Sequence, residues 1–199
     1  MARPRIDETE ALAELPVAFT RHAALRAGLT RSILPRLERD GVISRFATGL
    51  YAKGDAGVFD MDLVEAALRS SQATICLTSA LARHDLTDEI PDALHLALPR
   101  GRATPVGPAI AIWHQYDSGT FELDRTDVDV ADGIQIGLYG PERSIVDAFN
   151  PRLGLPQEQA VAALRAWLRR RPQVSALLRL ADHWPHAAAP LRRALQVLL

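Results

Sequence analysis

"RAGLTRSILPRLERDGVISRFATGLYAKG", residues 26–54, decides the reading of this chain. It sets a glycine turn at Gly28, a short helical run containing Pro35, and two alternating segments on either side of Gly49. "VISRF" (42–46) and "LYAK" (50–53) read as strands, because apolar and polar residues alternate between turn residues; Ala47-Thr48-Gly49 joins them. Upstream, "TRHAALRAG" (20–28) predicts a helix capped by Thr20 and ended at Gly28. Before it, "DETEALAEL" (7–15) predicts another that Pro16 stops.

The order helix, helix, turn, helix, hairpin describes a winged helix-turn-helix. Two such helices need a small residue where they cross and a turn residue tolerant of positive φ; Ala24 and Gly28 supply them. Ala23, Ala27, Leu29, Leu34 and Leu37 then face inward, which turns Arg31, Ser32, Arg36 and Arg39 outward on the second helix. Pro35 is tolerated if Ser32 caps this helix, with Thr30 and Arg31 in the turn, since a proline near the start forfeits no intrahelical bond. Seven basic residues lie between Arg21 and Lys53 against two acids, Glu38 and Asp40. A helix of this kind fits the major groove of double-stranded DNA, where arginine reads guanine through two hydrogen bonds. The candidate DNA-contacting residues are Arg21, Thr30, Arg31, Ser32, Arg36 and Arg39, with Arg45, Thr48 and Lys53 on the wing. The same charge also suits a protein-contact module whose arginines are merely solvated. Tyr51 reads as a packing residue.

Charge is segregated along the chain. Residues 1–54 carry nine basic and six acidic side chains, residues 55–132 five and fourteen, and residues 133–199 nine and four. A basic head suits a polyanion and an acidic middle does not. "GDAGVFD" (54–60) is a natural boundary, so the expected domains are 1–56, the winged helix, and 60–199. In the second, Asp60 caps a helix to about Ser70, and "ATICLTSALARHDLT" (73–87) predicts another. "ALHLALP" (93–99), "AIAIWHQY" (109–116), "FELD" (121–124), "TDVDV" (126–130) and "GIQIGLY" (133–139) read as strands of a mixed or mostly antiparallel sheet. Four helical segments close the chain: 141–149, 156–170, 173–184 and 189–199. The expected class is α+β.

Catalysis finds little support. Lys53 is the single lysine, so no phosphate-binding Gly-Lys-Ser/Thr loop exists. The six histidines lack metal-ligand spacing with Cys76, whose neighbours Ile75 and Leu77 mark it as a buried thiol. Asp127, Asp129 and Asp132 resemble a Mg²⁺-holding carboxylate group, but six residues between Thr120 and Asp127 leave no room for the helix such enzymes insert. Their plainer reading is the charged face of an edge strand. No enzyme, metal or cofactor is expected. No apolar run approaches a membrane span, "MARPRIDETE" lacks a signal-peptide core, and the lone cysteine fits a reducing compartment, so a soluble cytoplasmic protein is expected.

"AGLTRSILPRLERDGVISRFATGLYA" resembles the N-terminal winged helix of the AbiEi antitoxins of abortive-infection toxin–antitoxin systems. "CLTSALARHDLTDEIPDALHLALPRG" (76–101), "PERSIVDAF" (141–149) and "ALRAWLRR" resemble the C-terminal domain of that family's shorter members. The resemblance implies a repressor that binds inverted repeats in its own promoter; one winged helix reads a short half-site, so two copies, a homodimer on DNA, are expected there. It also implies an antitoxin that opposes a nucleotidyltransferase toxin. Thr78, Ser79, His84, Arg143 and Asp147 lie in the matching segments and are candidate partner contacts, as are Arg165 and Arg169 of a late basic cluster with Arg170 and Arg171. If Arg143 and Asp147 are instead buried, Arg143 pins its helix to the sheet. The alternative function is a stand-alone regulator with a ligand- or protein-binding C-terminal domain.

Overall fold

The computed structural model describes residues 8–57 and 59–199. The charged opening "MARPRID", including the expected helix start at Asp7, lies outside the described residues, as does Val58 in the loop at 54–60. The fold is α+β, with two sheets and helices among the described residues. Contacts divide the chain into two compact units. The first runs to Ser71 and includes Asp129–Ile136; the second holds Gln72–Val128 and Gly137–Leu199.

In the first unit, α1 (Glu8–Ala13) precedes β1 (Ala18–Thr20), α2 (Arg21–Arg26), α3 (Leu34–Arg39), β2 (Ile43–Ala47), β3 (Leu50–Lys53) and α4 (Met61–Arg69). Thr20 caps α2 by accepting the Ala23 N–H at 3.0 Å, and Gly28 ends that stretch at φ +101. Ala24, Leu29, Leu34 and Leu37 are buried with Ala11, Phe19, Ile43 and Tyr51 in one cluster, so the expected inward face is the observed one. Two details differ from expectation. The cap of α3 is Ile33, without a side-chain bond, not Ser32, whose hydroxyl bonds Thr30 at 2.9 Å; Pro35 thus falls in the first turn, and the helix is six residues long. And β1 is an additional strand: it pairs antiparallel with β3, giving the order β1-β3-β2. Ala18, Ala52, Val64 and Ile134 form a further core in this unit. Asp60 caps α4 through the Asp62 and Leu63 N–H groups. Because Val64 packs with Ala18 and Ala52, α4 stays with the head, and the compact unit runs past the loop where glycine spacing puts the boundary.

The second unit contains β4 (Thr74–Ile75), α5 (Leu77–Arg83), β5 (Leu94–Pro99), β6 (Ala111–Tyr116), β7 (Arg125–Ala131) and β8 (Ile134–Tyr139). The turn end of β7 and β8 belongs to the first unit. Then follow α6 (Pro141–Ala148), α7 (Gln157–Leu168), α8 (Val174–Ala181) and α9 (Pro185–Leu198). The sheet order is β6-β5-β4-β8-β7. It is mixed rather than mostly antiparallel: β4 pairs antiparallel with β5, but β4–β8 and β5–β6 are parallel. Residues 73–87 are not one helix. Thr74 and Ile75 form the central strand, and Leu77, at φ +48, turns the chain into α5. "FELD" is a turn, not a strand, with Asp124 at φ +56. The last helix starts at Pro185 rather than 189, since a proline in the first turn forfeits no bond. Every residue of α6 from Arg143 to Ala148 is buried, and the apolar faces of α7, α8 and α9 share one core with it.

Candidate nucleic-acid interface

In the first unit α3 carries Arg36 and Arg39, the β2–β3 hairpin Arg45 and Lys53, and the turn before α3 Arg31. Arg31, Ser32, Arg36 and Arg39 are all exposed, as are Arg21 at the start of α2 and Thr30 in the turn. Arg36 is not free: its guanidinium pairs with Glu8 of α1. Arg31 and Arg39 have no such partner among the described residues. In the hairpin, Thr48 and Gly49 form the tip, with Gly49 at φ +75 and Ala47 opposite Leu50. Thr48 is exposed, and its carbonyl accepts a bond from Arg69 of α4 at 3.2 Å. The Gly49 carbonyl accepts the Arg21 N–H at 2.7 Å, which ties the tip to the start of α2. Arg45 is exposed and bonds the Ala47 carbonyl at 3.3 Å, beside a register shift. Lys53 is half-buried at the end of β3 remote from the tip, opposite buried Ile43. An open groove of about 620 Å³ beside the hairpin is lined by Glu38, Ser44, Arg45, Lys53 and Phe59, among others. Tyr51 is buried and stacks on Phe19, with centroids 6.0 Å apart, as a packing residue would.

Arg69 and Glu8 are residues that sequence reasoning misses. Arg69 is paired to Glu65 at 2.9 Å, and a four-residue acid–base spacing on a helix was the available signal. Nothing in the sequence spacing links Glu8 to Arg36.

The second group of candidates is mostly interior. Arg143 and Asp147 are each 1 % exposed. Arg143 Nε donates to Asp147 Oδ1 at 2.9 Å, and its Nη1 donates to the Thr120 and Leu123 carbonyls at 2.9 and 3.0 Å. The guanidinium lies between aromatic rings, 3.9 Å from the Trp184 centroid and 4.4 Å from that of Tyr139. The backbone N–H of Arg143 donates to Asp124. Arg143 therefore pins α6 to the turn before β7, and the reading of this pair as a partner contact gives way to the pinning one. Burial raises the Asp147 carboxyl to about 6, against the opposing pull of Arg143, and raises the Cys76 thiol as well. Ser79 is buried, donating to the Ala93 carbonyl and accepting from the His95 N–H. The hydroxyl of Thr78 is buried. His84 bonds the Tyr139 carbonyl at 2.8 Å. Arg165 and Arg169 are exposed, and so is Arg171, while Arg170 donates to the carbonyls of His84 and Asp85. Of the candidate partner contacts, only Arg165 and Arg169 are exposed; Thr78 and His84 are half-buried.

Asp127 bonds Arg125 at 2.9 Å, and Asp129 accepts from Gln135, on edge strand β7. No group of three metal-ligating side chains occurs among the described residues. No helix among them is long and apolar enough to cross a membrane.

No family model matches the chain. No curated protein matches it either. Among solved structures, the crystal structure of the RV2827C protein from Mycobacterium tuberculosis is similar, with a TM-score of 0.57 and 23 % identity. The match covers 96 % of this chain and 74 % of that one. At that identity the likeness concerns the fold.

Proposed function

We propose that the protein is a winged-helix DNA-binding repressor, with α3 as the recognition helix and the β2–β3 hairpin as the wing. The observation that carries this reading is the shared exposure of Arg31 before α3, Arg39 on it and Arg45 on a hairpin whose tip is held from behind by Arg69 and the Arg21 N–H. Arginine on a helix this short reaches base edges, while Arg45 and Thr48 reach phosphates. One such head covers a short half-site, so inverted repeats read by two copies supply the affinity. By resemblance, the second unit serves as an antitoxin against a nucleotidyltransferase toxin, with the exposed arginines Arg165 and Arg169 as its contact residues. The activity is binding, not catalysis. A footprint on the DNA upstream of the gene tests this reading: paired, inverted protection supports it, and no protection at any concentration overturns it. The second reading is a stand-alone regulator whose second unit takes a ligand. An apolar groove of about 410 Å³ lined by Phe149, Leu155, Pro185 and Pro190 favours that version of the second unit.

A further inference from the structure

We propose that β6 is a self-association edge, on which a second copy of this chain pairs its own β6 antiparallel about a two-fold axis. β6 ends the sheet, so one side of its backbone has no strand beside it. The parallel ladder fixes which groups point outward. Leu94 N–H bonds the Ile110 carbonyl and Arg100 N–H bonds that of Tyr116, so the even-numbered residues of β6 face β5. Ala111, Trp113 and Gln115 turn their N–H and C=O groups the other way. Ala111 N–H is taken by the Pro108 carbonyl, whereas the backbones of Trp113 and Gln115 bond nothing on that side among the described residues. The loop back from β5 bonds their side chains and not these backbone groups. It runs over one face, where its carbonyls at Gly107 and Arg102 accept from the side chains of Trp113 and Gln115.

Edge strands are ordinarily guarded by charge, proline or a bulge. Edge β7 carries Arg125, Asp127 and Asp129, but β6, "AIWHQY", carries none of these guards; Ile112 within it is 47 % exposed and Ile110 just before it 52 %. A two-fold pairing that sets Trp113 opposite Gln115 of the partner satisfies four backbone groups on each strand and places Ile112 against the partner's Tyr116 end. The ends also match in charge. At the Ala111 end, Asp92 lies two residues before Leu94; at the Tyr116 end lie Arg100 and Arg102. Asp92, Arg100 and Arg102 are exposed and form no ion pair among the described residues. Asp117, at the basic end, is already engaged by the Gly119 N–H. An antiparallel dimer brings the acidic end of each strand to the basic end of the other, whereas a parallel one sets like charges together.

The test is the mass in solution of the full chain without DNA, followed by light scattering over a concentration series. The expected result is a shift toward twice 21.8 kDa. Gln115→Pro removes an outward N–H without touching the β5 ladder and is expected to leave a folded monomer with an unchanged circular-dichroism spectrum. Gln115→Ala, which keeps the N–H but loses the bonds to the loop, should still dimerise. Arg100→Glu/Arg102→Glu should weaken the dimer about tenfold, and adding Asp92→Lys should recover part of that loss. A chain that stays monomeric at the highest soluble concentration overturns the proposal. So does a dimer that survives both Gln115→Pro and the charge reversal. If Gln115→Pro does not fold, the charge-reversal pair and its rescue decide alone. Since no DNA is present, failure here leaves the repressor reading standing.

Discussion

Arg143 lies 3.9 Å from the centre of the Trp184 ring, so a cation from the start of α6 is covered by an aromatic residue at the cap of α9. It donates to Asp147 within α6 and to the Thr120 and Leu123 carbonyls, which connects α6 to the turn before β7. Removing one member of a buried pair leaves an uncompensated charge, which costs about 3–5 kcal/mol. Arg143→Met is expected to destabilise the second unit by that much in urea unfolding. Lysine keeps the charge but not the planar fork, so Arg143→Lys should recover only part. The double variant Arg143→Met/Asp147→Leu should be more stable than Arg143→Met alone. A loss below about 1 kcal/mol in Arg143→Met would remove the pin.

Arg36 and Glu8 make a second test, this one of the proposed DNA reading. Their pairing competes with any contact of Arg36 to DNA. Exposed pairs contribute about 0–1 kcal/mol, so Glu8→Ala should tighten DNA binding several-fold while barely changing the melting temperature. Arg31→Ala and Arg39→Ala should each cost about 1–3 kcal/mol on the cognate site if they read bases. Arg45→Ala should weaken all sequences alike and lower the salt slope by about one unit. Titration by fluorescence anisotropy at several salt concentrations measures all of these. Weaker binding in Glu8→Ala, or equal losses for Arg31→Ala on cognate and random DNA, would remove base reading from α3.

Much of the first unit was legible in the sequence, because its signals are local. Thr20, Gly28, Gly49 and Asp60 each act on backbone within a few residues, and each is found where the spacing puts it. β1 was not, because its three residues are too short to show alternation and its partner β3 lies thirty residues on. β4 was hidden for a related reason. "ATICL" is apolar but for Thr74, with no alternation to mark a strand buried on both faces, and a buried helix start reads the same way. The burial of Arg143 left no trace in composition at all; a charged residue in the first turn of a helix reads as solvated until its three carbonyl and carboxylate partners, 4 to 23 residues away, are known.

The glycines of the hairpin separate conformational from steric need. Gly49 sits at φ +75 with open space around it, so Gly49→Ala strains only the backbone and should cost about 1 kcal/mol. A Cβ on Gly54 would lie 2.5 Å from the Gly41 carbonyl oxygen, a backbone atom that cannot step aside. Gly54→Ala should therefore cost more than Gly49→Ala and broaden the unfolding of the first unit. The order of the two melting temperatures is the check, and a reversed order would contradict this geometry.

The last prediction concerns acid. His95 Nδ1 and His114 Nε2 are 2.9 Å apart on adjacent parallel strands, one nitrogen donating its proton to the other. Two protonated rings cannot share that bond. Burial lowers both rings, His114 to about 4 with His95 as a second cause. A folded value below the unfolded 6.5 means that the unfolded chain binds more protons between those values. The stability from the neutral pair is thus complete above pH 6.5 and is lost as pH falls toward 4. Asp147 has the opposite sign, since its carboxyl is raised to about 6 from 3.8, and stability gained by protonating it grows over the same acid range. The two contributions are separated by difference. His114→Gln removes the first and leaves the second, so the variant is expected to be less stable than the parent at pH 7, with the gap closing by pH 4.5. Chemical unfolding at half-unit pH steps measures that gap. A gap constant from pH 7 to 4.5 would mean that the pair's protonation is not linked to folding.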